Sequence, residues 1–184
     1  MNSNTGQFHG AVIRQALAAL GDELRQGHAI EILVIGGAAG LLTRVLPPVI
    51  TTSDVDTVNF RPPGDVEEVL HAAEIVSEKL QLARGWLSVD AGLYASAIPN
   101  GWETRRVRIG DFGRLLVYAL GRLDLIAMKF YAHREVDLEH LNRMNVTADE
   151  RLFSKDYLQK LYDKLPDERS KIDLALRILE DCGS

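Results

Sequence analysis

One cysteine, Cys182, stands in 184 residues. It has no partner within the chain, so a disulfide framework is excluded and a reducing, cytoplasmic setting is expected. Long apolar runs are missing as well. The longest, Ile32 to Leu42, falls short of the roughly 20 residues a membrane helix needs and is broken by two adjacent glycines. The opening stretch MNSNTGQFHG lacks the basic-then-apolar order of a secretory signal. No internal repeat or low-complexity tract is visible. Net positive charge is absent too: the formal charge is −5, which gives no general reason to expect duplex nucleic acid as a partner.

What is present suits a folded domain. Apolar residues make up 46% and charged residues 26% of the chain, enough for a real core and too apolar for disorder. The charge is uneven. Residues 101–134 hold Arg105, Arg106, Arg108, Arg114, Arg122, Lys129 and Arg134 against Glu103, Asp111 and Asp124. A phosphate-bearing ligand and a merely solvated face both account for such a stretch.

Hydrophobic spacing predicts the elements. Val12, Ala16, Leu17, Leu20 and Leu24 recur at helical intervals over 11–25. EILVIGG reads as a strand buried on both faces, AAGLLTRVL as a short helix stopped by Pro47-Pro48, and SDVDTVNF as a second strand. Asp65 and Glu68 resemble a capping box opening a helix with Val66, Val69, Leu70, Ala73, Val76 and Leu80 on one face. Extended pieces follow at WLSVD, RRVRIG and LLVYAL, and the rest is helical, including a Thr147…Glu150 capping box and a stripe of Ile172, Leu176 and Leu179. The expectation is an α/β (α+β) fold: a βαβ-like core with a small mixed sheet over residues 1–121, and a helical C-terminal region over 122–184.

Two features carry chemistry. Gly36-Gly37 ends the first strand, where a turn without Cβ atoms lets main-chain N–H groups approach phosphate oxygens. Asp54 and Asp56 flank Val55; on a strand their side chains share a face with Cα atoms about 6.6 Å apart, a spacing at which two carboxylates repel unless water or a cation lies between them. Magnesium uses such carboxylates together with substrate phosphates. Solvent-facing acids on an edge strand are the plainer reading of the pair alone. IGGAAG has neither the G-x-G-x-x-G spacing nor the Gly-Lys-Ser/Thr of a P-loop. The order strand, Gly-Gly, helix, Thr-x-Asp-x-Asp is more specific than either part.

That order over residues 31–60 resembles the signature of the polymerase-β-type nucleotidyltransferase superfamily. The downstream segment with Leu125, Lys129, Ala132, Arg134, Asp137, Leu138 and Leu141 is similar to the DUF6036 group of minimal nucleotidyltransferases, related to the AbiEii-type toxin enzymes. The resemblance covers roughly residues 10–145. It implies transfer of a nucleoside monophosphate from a nucleoside triphosphate, with two Mg2+ ions on Asp54 and Asp56. It also implies Gly36 and Gly37 beside the phosphates, Thr52 shaping the turn, Lys129 neutralising the triphosphate, and Asp137 orienting Lys129 and Arg134. For the third carboxylate Asp90 is the first candidate and Asp111 its rival. RNA or tRNA, a protein, or a toxin–antitoxin partner are the acceptors and partners the resemblance leaves open. A catalytically silent nucleotide-binding or protein-interaction module is the competing class.

Overall fold

The structure, a computed structural model, describes residues 6–181; Cys182 lies outside the described residues. The chain divides into two compact units, one of residues 1–95 with 106–120, the other of residues 96–105 with 121–184.

The first unit is a mixed five-stranded sheet with helices. Its strands are β1 (Ile30–Val34), β2 (Val55–Arg61), β3 (Leu87–Ser88), β4 (Val107–Phe112) and β5 (Leu115–Ala119), in the spatial order β3-β2-β1-β5-β4. β1 is central, which is why its apolar residues are buried on both faces. It runs parallel to β5 and antiparallel to β2; β2 and β3 are parallel, and β4 and β5 form an antiparallel hairpin. The expected βαβ-like start is therefore corrected. The short helix α2 (Gly36–Leu42) and the loop after it do not carry the chain back along the sheet. β2 thus enters at the end where β1 leaves, and Ile35 N–H donates to the Asp56 carbonyl at 2.9 Å.

Helix α1 (Gly10–Glu23) buries Ile13, Ala16, Leu17 and Leu20, one helical stripe, with Ile13 in the place the spacing gave to Val12. Its approach to β4 is close enough that a Cβ on Gly21 would run into the Phe112 carbonyl. Helix α3 (Val66–Leu80) buries Val69, Ala72, Ala73 and Val76. Its expected capping box does not form. Asp65 ends a 3₁₀ turn with φ −88° and ψ 1° rather than the extended angles of an N-cap, and its carboxylate meets His28 Nε2 at 2.6 Å while Glu68 meets Arg114. The buried Trp86 donates to the Ala73 carbonyl at 2.9 Å and fixes the entry to β3.

The second unit is helical: α4 (Trp102–Arg105), α5 (Arg122–Ala132), α6 (Glu135–Met144), α7 (Ala148–Lys164) and α8 (Arg169–Asp181). α5 is buried nearly all round and packs on α6, α7 and α8. Its first-turn Asp124, fully buried, takes a forked contact from Arg105, with Nη2 at 2.6 Å and Nε at 3.0 Å, which ties α4 to α5. The Thr147…Glu150 capping box is complete, with Thr147 N–H donating to Glu150 Oε2 at 2.9 Å and Glu150 N–H to Thr147 Oγ1 at 3.3 Å. Among the described residues no buried side-chain nitrogen or oxygen lacks a hydrogen-bond partner, and no helix is long and apolar enough to cross a membrane.

Candidate functional site

Gly36 opens α2 with φ at +66°, a left-handed conformation that a side chain resists. A Cβ built on it would lie 3.1 Å from Asp56 Oδ2. The Gly-Gly turn and the Asp-Val-Asp strand, twenty residues apart in the chain, are therefore neighbours, and the carboxylate rests on the space that the missing side chain leaves. Gly37 is the next residue of α2 and, like Gly36, is half-exposed.

Burial alternates at the start of β2, before Val58 and Phe60, on the side of Asp56, are buried as well. Val55 and Thr57 are fully buried, while Asp54 and Asp56 are half-buried on the opposite side. Asp54 stands one residue before β2, and Val55 N–H donates to the Trp86 carbonyl at 2.7 Å. Thr52 Oγ1 donates to the Asp54 carbonyl at 3.2 Å. The segment ahead of Asp54 is held from outside as well: Phe8 and Thr52 exchange both main-chain hydrogen bonds, at 2.7 and 3.1 Å, and the Phe8 ring is buried. Nothing in the spacing of Phe8 announces that pairing, because a single antiparallel bridge has no periodicity.

The two candidates for a third carboxylate are placed very differently. β3 aligns Ser88 with Asp56 and ends there. Asp90 begins a 3₁₀ segment (Asp90–Ala97), exposed, with its N–H donating to Ser88 Oγ at 3.1 Å. The WLSVD stretch is thus extended only as far as Ser88, because a turn closed by Gly92 N–H on the Val89 carbonyl at 2.9 Å lifts the chain out of the sheet. Asp111 lies on β4, at the opposite edge. Three strand spacings separate β4 from β2, about 14 Å. Asp111 also aligns with Leu116 and through it with Glu31, toward the far end of β1 from Ile35. Its carboxylate is held by Arg108.

Within the second unit, Lys129 is only 3% exposed. Its Nζ donates to Asp137 Oδ1 and to His140 Nδ1, each at 2.9 Å, and Arg134 Nε takes the other Asp137 oxygen at 2.7 Å. α6 begins directly after Arg134, so Asp137 and His140, three residues apart, share the helix face turned to Lys129. Burial pushes the Lys129 ammonium below the usual lysine range, although the Asp137 charge opposes the shift. Burial alone would raise the Asp137 carboxyl, but the Arg134 hydrogen bond and the Lys129 charge outweigh it and hold the group below the usual carboxylate range. His140 is pushed down to about 4 by burial and by the Lys129 charge. The motif pointed to Lys129, Arg134 and Asp137. His140 went unremarked, because a lone histidine on a helix face carries no signal until its neighbour is known.

The basic stretch of 101–134 proves to be paired almost group by group. Arg105 meets Asp124, Arg106 meets Glu31, Arg108 meets Asp111, Arg114 meets Glu68 and Arg122 meets Glu150, while Lys129 and Arg134 share Asp137. Arg106 also lies over the Tyr118 ring, 3.8 Å from its centroid.

A two-carboxylate set suits a hard, oxygen-seeking cation that completes its shell with water and substrate phosphate. Among the described residues no cluster of three or more histidine, cysteine or acidic side chains could hold a metal without such help. A family model described as a nucleotidyltransferase of unknown function (DUF6036) matches residues 14–176. No curated protein and no solved structure matches the chain.

Proposed function

Because the chain belongs to the DUF6036 family of nucleotidyltransferases, we propose that it transfers a nucleoside monophosphate from a nucleoside triphosphate to an acceptor, in a magnesium-dependent reaction centred on Asp54 and Asp56. The observation that carries this reading is the contact between its two signature halves, Asp56 Oδ2 lying 3.1 Å from the position a Gly36 Cβ would fill. Asp54 and Asp56 fit Mg2+ as a pair of hard oxygen donors on one side of β2. Bound there, magnesium would neutralise phosphate charge and lower the pKa of an attacking hydroxyl.

The chain's own groups have separate tasks. Gly36 and Gly37 let main chain approach the phosphates, and Thr52 holds the turn that delivers Asp54. Lys129, paired with Asp137 inside the helical unit, is assigned the neutralisation of triphosphate charge on the strength of the motif alone. An acceptor oxygen attacks the α-phosphorus, the bond to the β-phosphate oxygen breaks, and pyrophosphate leaves. Asp90 is assigned the acceptor proton; Asp111 is too far across the sheet for that task.

One observation favours a second reading, a nucleotide-binding module without turnover. The residue that β3 aligns with Asp56 is a serine, and Asp90 lies beyond the end of the strand. Incubation with each labelled triphosphate, Mg2+ and separate pools of RNA, tRNA and protein discriminates the two. Label transfer with pyrophosphate release, lost in Asp54→Asn, supports the transferase. Magnesium-dependent binding without transfer to any pool, including one co-purified from the native host to capture a toxin–antitoxin partner, supports the silent module.

A further inference from the structure

We propose that Phe8 is a positioning residue for Asp54, pinning the chain at Thr52 so that the first carboxylate of the magnesium pair stands at a fixed place relative to the second. The inference rests on the reading above that Asp54 and Asp56 hold magnesium, and it adds a residue far outside the signature. It starts from a difference between the two aspartates. Asp56 lies inside the sheet: β3 aligns Ser88 with it, and its carbonyl accepts from Ile35 N–H at 2.9 Å. Asp54 lies before the first residue of β2 that either neighbouring strand pairs. It ends the stretch 43–54, which contains no helix or strand. One carboxylate is thus carried by a ladder, and the other depends on how the loop arrives.

Phe8 supplies the missing hold. Its N–H donates to the Thr52 carbonyl at 2.7 Å, and Thr52 N–H donates back to the Phe8 carbonyl at 3.1 Å, the closed pair of an antiparallel bridge. From there Thr52 Oγ1 reaches on to the Asp54 carbonyl at 3.2 Å. A single bridge is weak by itself, since its groups can bond to water instead. The Phe8 ring, only 4% exposed, changes that, because parting the bridge would draw an aromatic ring into water. Beside it Thr51 Oγ1 donates to Gln7 Oε1. The other end of the clamp is fixed as well. Helix α1 begins two residues after Phe8, and its Arg14 Nη2 donates to the Leu42 carbonyl at the end of α2 at 3.0 Å. Gly10 lies so close to α2 that a Cβ there would come 3.3 Å from the Leu41 carbonyl oxygen. Residues 8–14 therefore connect the helix that carries the glycines to the run-in of Asp54. Magnesium demands near-ideal octahedral geometry, so a carboxylate free to wander would bind it poorly.

The test compares the full-length protein with Phe8→Leu, which keeps an apolar anchor, and Phe8→Ala, which removes it. Val69→Ala, a truncation in the buried face of α3, is the control for general loosening of the unit. Two readouts are taken where all variants are folded: hydrogen exchange at the Thr52 amide relative to the amides of β1, and calorimetric affinity for each of the four nucleoside triphosphates with Mg2+. In Phe8→Ala the Thr52 amide should exchange at least about tenfold faster. Mg2+-dependent affinity should fall about tenfold or more, the usual cost of losing a group that orients a metal ligand. Phe8→Leu should keep both within about threefold of the wild type, and Val69→Ala should keep the affinity. If Phe8→Ala does not fold, Phe8→Val takes its place in the same comparison. Wild-type affinity despite a loosened Thr52 amide, an amide as protected as in the wild type, or an equal loss of affinity in Val69→Ala each overturns the proposal. A wild type that binds none of the four triphosphates refutes the nucleotide reading itself, and the proposal with it, whatever the Thr52 amide shows.

Discussion

Replacing Gly36 by alanine tests the geometry of the site through stability, without knowledge of any substrate. The position has φ at +66°, and holding a non-glycine residue in that region costs on the order of 1–3 kcal/mol. Alanine also has less freedom than glycine in the unfolded chain, which offsets about 0.4–1 kcal/mol. The new Cβ would stand 3.1 Å from Asp56 Oδ2, tighter than an ordinary contact, so the carboxylate must move by a few tenths of an ångström. A net loss of about 1–2 kcal/mol follows, or roughly 2–8 °C in the unfolding midpoint of a chain this size. Gly64→Ala is the control. It has open space around its Cβ and no left-handed backbone, so its change should stay within about 0.5 kcal/mol. Thermal unfolding of the two variants beside the wild type reads the difference. If Gly36→Ala unfolds with Gly64→Ala and the wild type, Gly36 is not held as described, and the contact between the two halves of the signature loses its support.

Three further outcomes are expected. Asp137→Leu leaves a buried ammonium without its carboxylate and should destabilise by about 3–5 kcal/mol in denaturant titration, whereas the Lys129→Met/Asp137→Leu double variant should recover much of that loss; equal costs would deny the pair its coupling. Acidification acts through His140. With a folded value of about 4 against about 6.5 unfolded, the unfolded chain binds the extra proton between those pH values. Stability is therefore complete above about pH 6.5 and falls by on the order of 3 kcal/mol as the pH drops to about 4. His140→Asn should flatten that part of the profile, and parallel profiles would contradict the assignment. The Asp137 contribution has the same sense at lower pH, being present above the unfolded carboxylate range and lost as the pH falls through the depressed folded value. Finally, because the cations of 101–134 are matched with carboxylates, any RNA affinity should depend weakly on salt, with a log–log slope shallower than about −2. A slope several times steeper would show an electrostatic surface that these pairings do not provide.

Much of the fold was legible because periodicity survives in a single sequence. The amphipathic helices and the β-branched run at Ile30–Val34 announced themselves, and so did the Thr147…Glu150 cap, whose chemistry is local. The antiparallel return of β2 was not legible, since strand direction is set by where the chain travels between strands. The Asp65…Glu68 pattern matched a capping box and formed none, because His28 and Arg114, distant in sequence, took both carboxylates. The site divides in the same way. Gly36, Asp54 and Asp56 were visible as a motif, yet their proximity appears only once Ile35 pairs with Asp56. The paired state of the basic stretch was invisible for the complementary reason: Glu31, Glu68 and Glu150 lie outside it.

The central claim is that the glycine turn and the two aspartates form one magnesium–nucleotide site. Calorimetric titration of the protein with each of the four nucleoside triphosphates, with and without Mg2+, beside a folded Asp54→Asn/Asp56→Asn variant, tests it most directly. The account predicts binding of at least one triphosphate that requires Mg2+ and disappears in the double variant. Equal binding by the variant, or binding indifferent to Mg2+, would place the nucleotide elsewhere and contradict it.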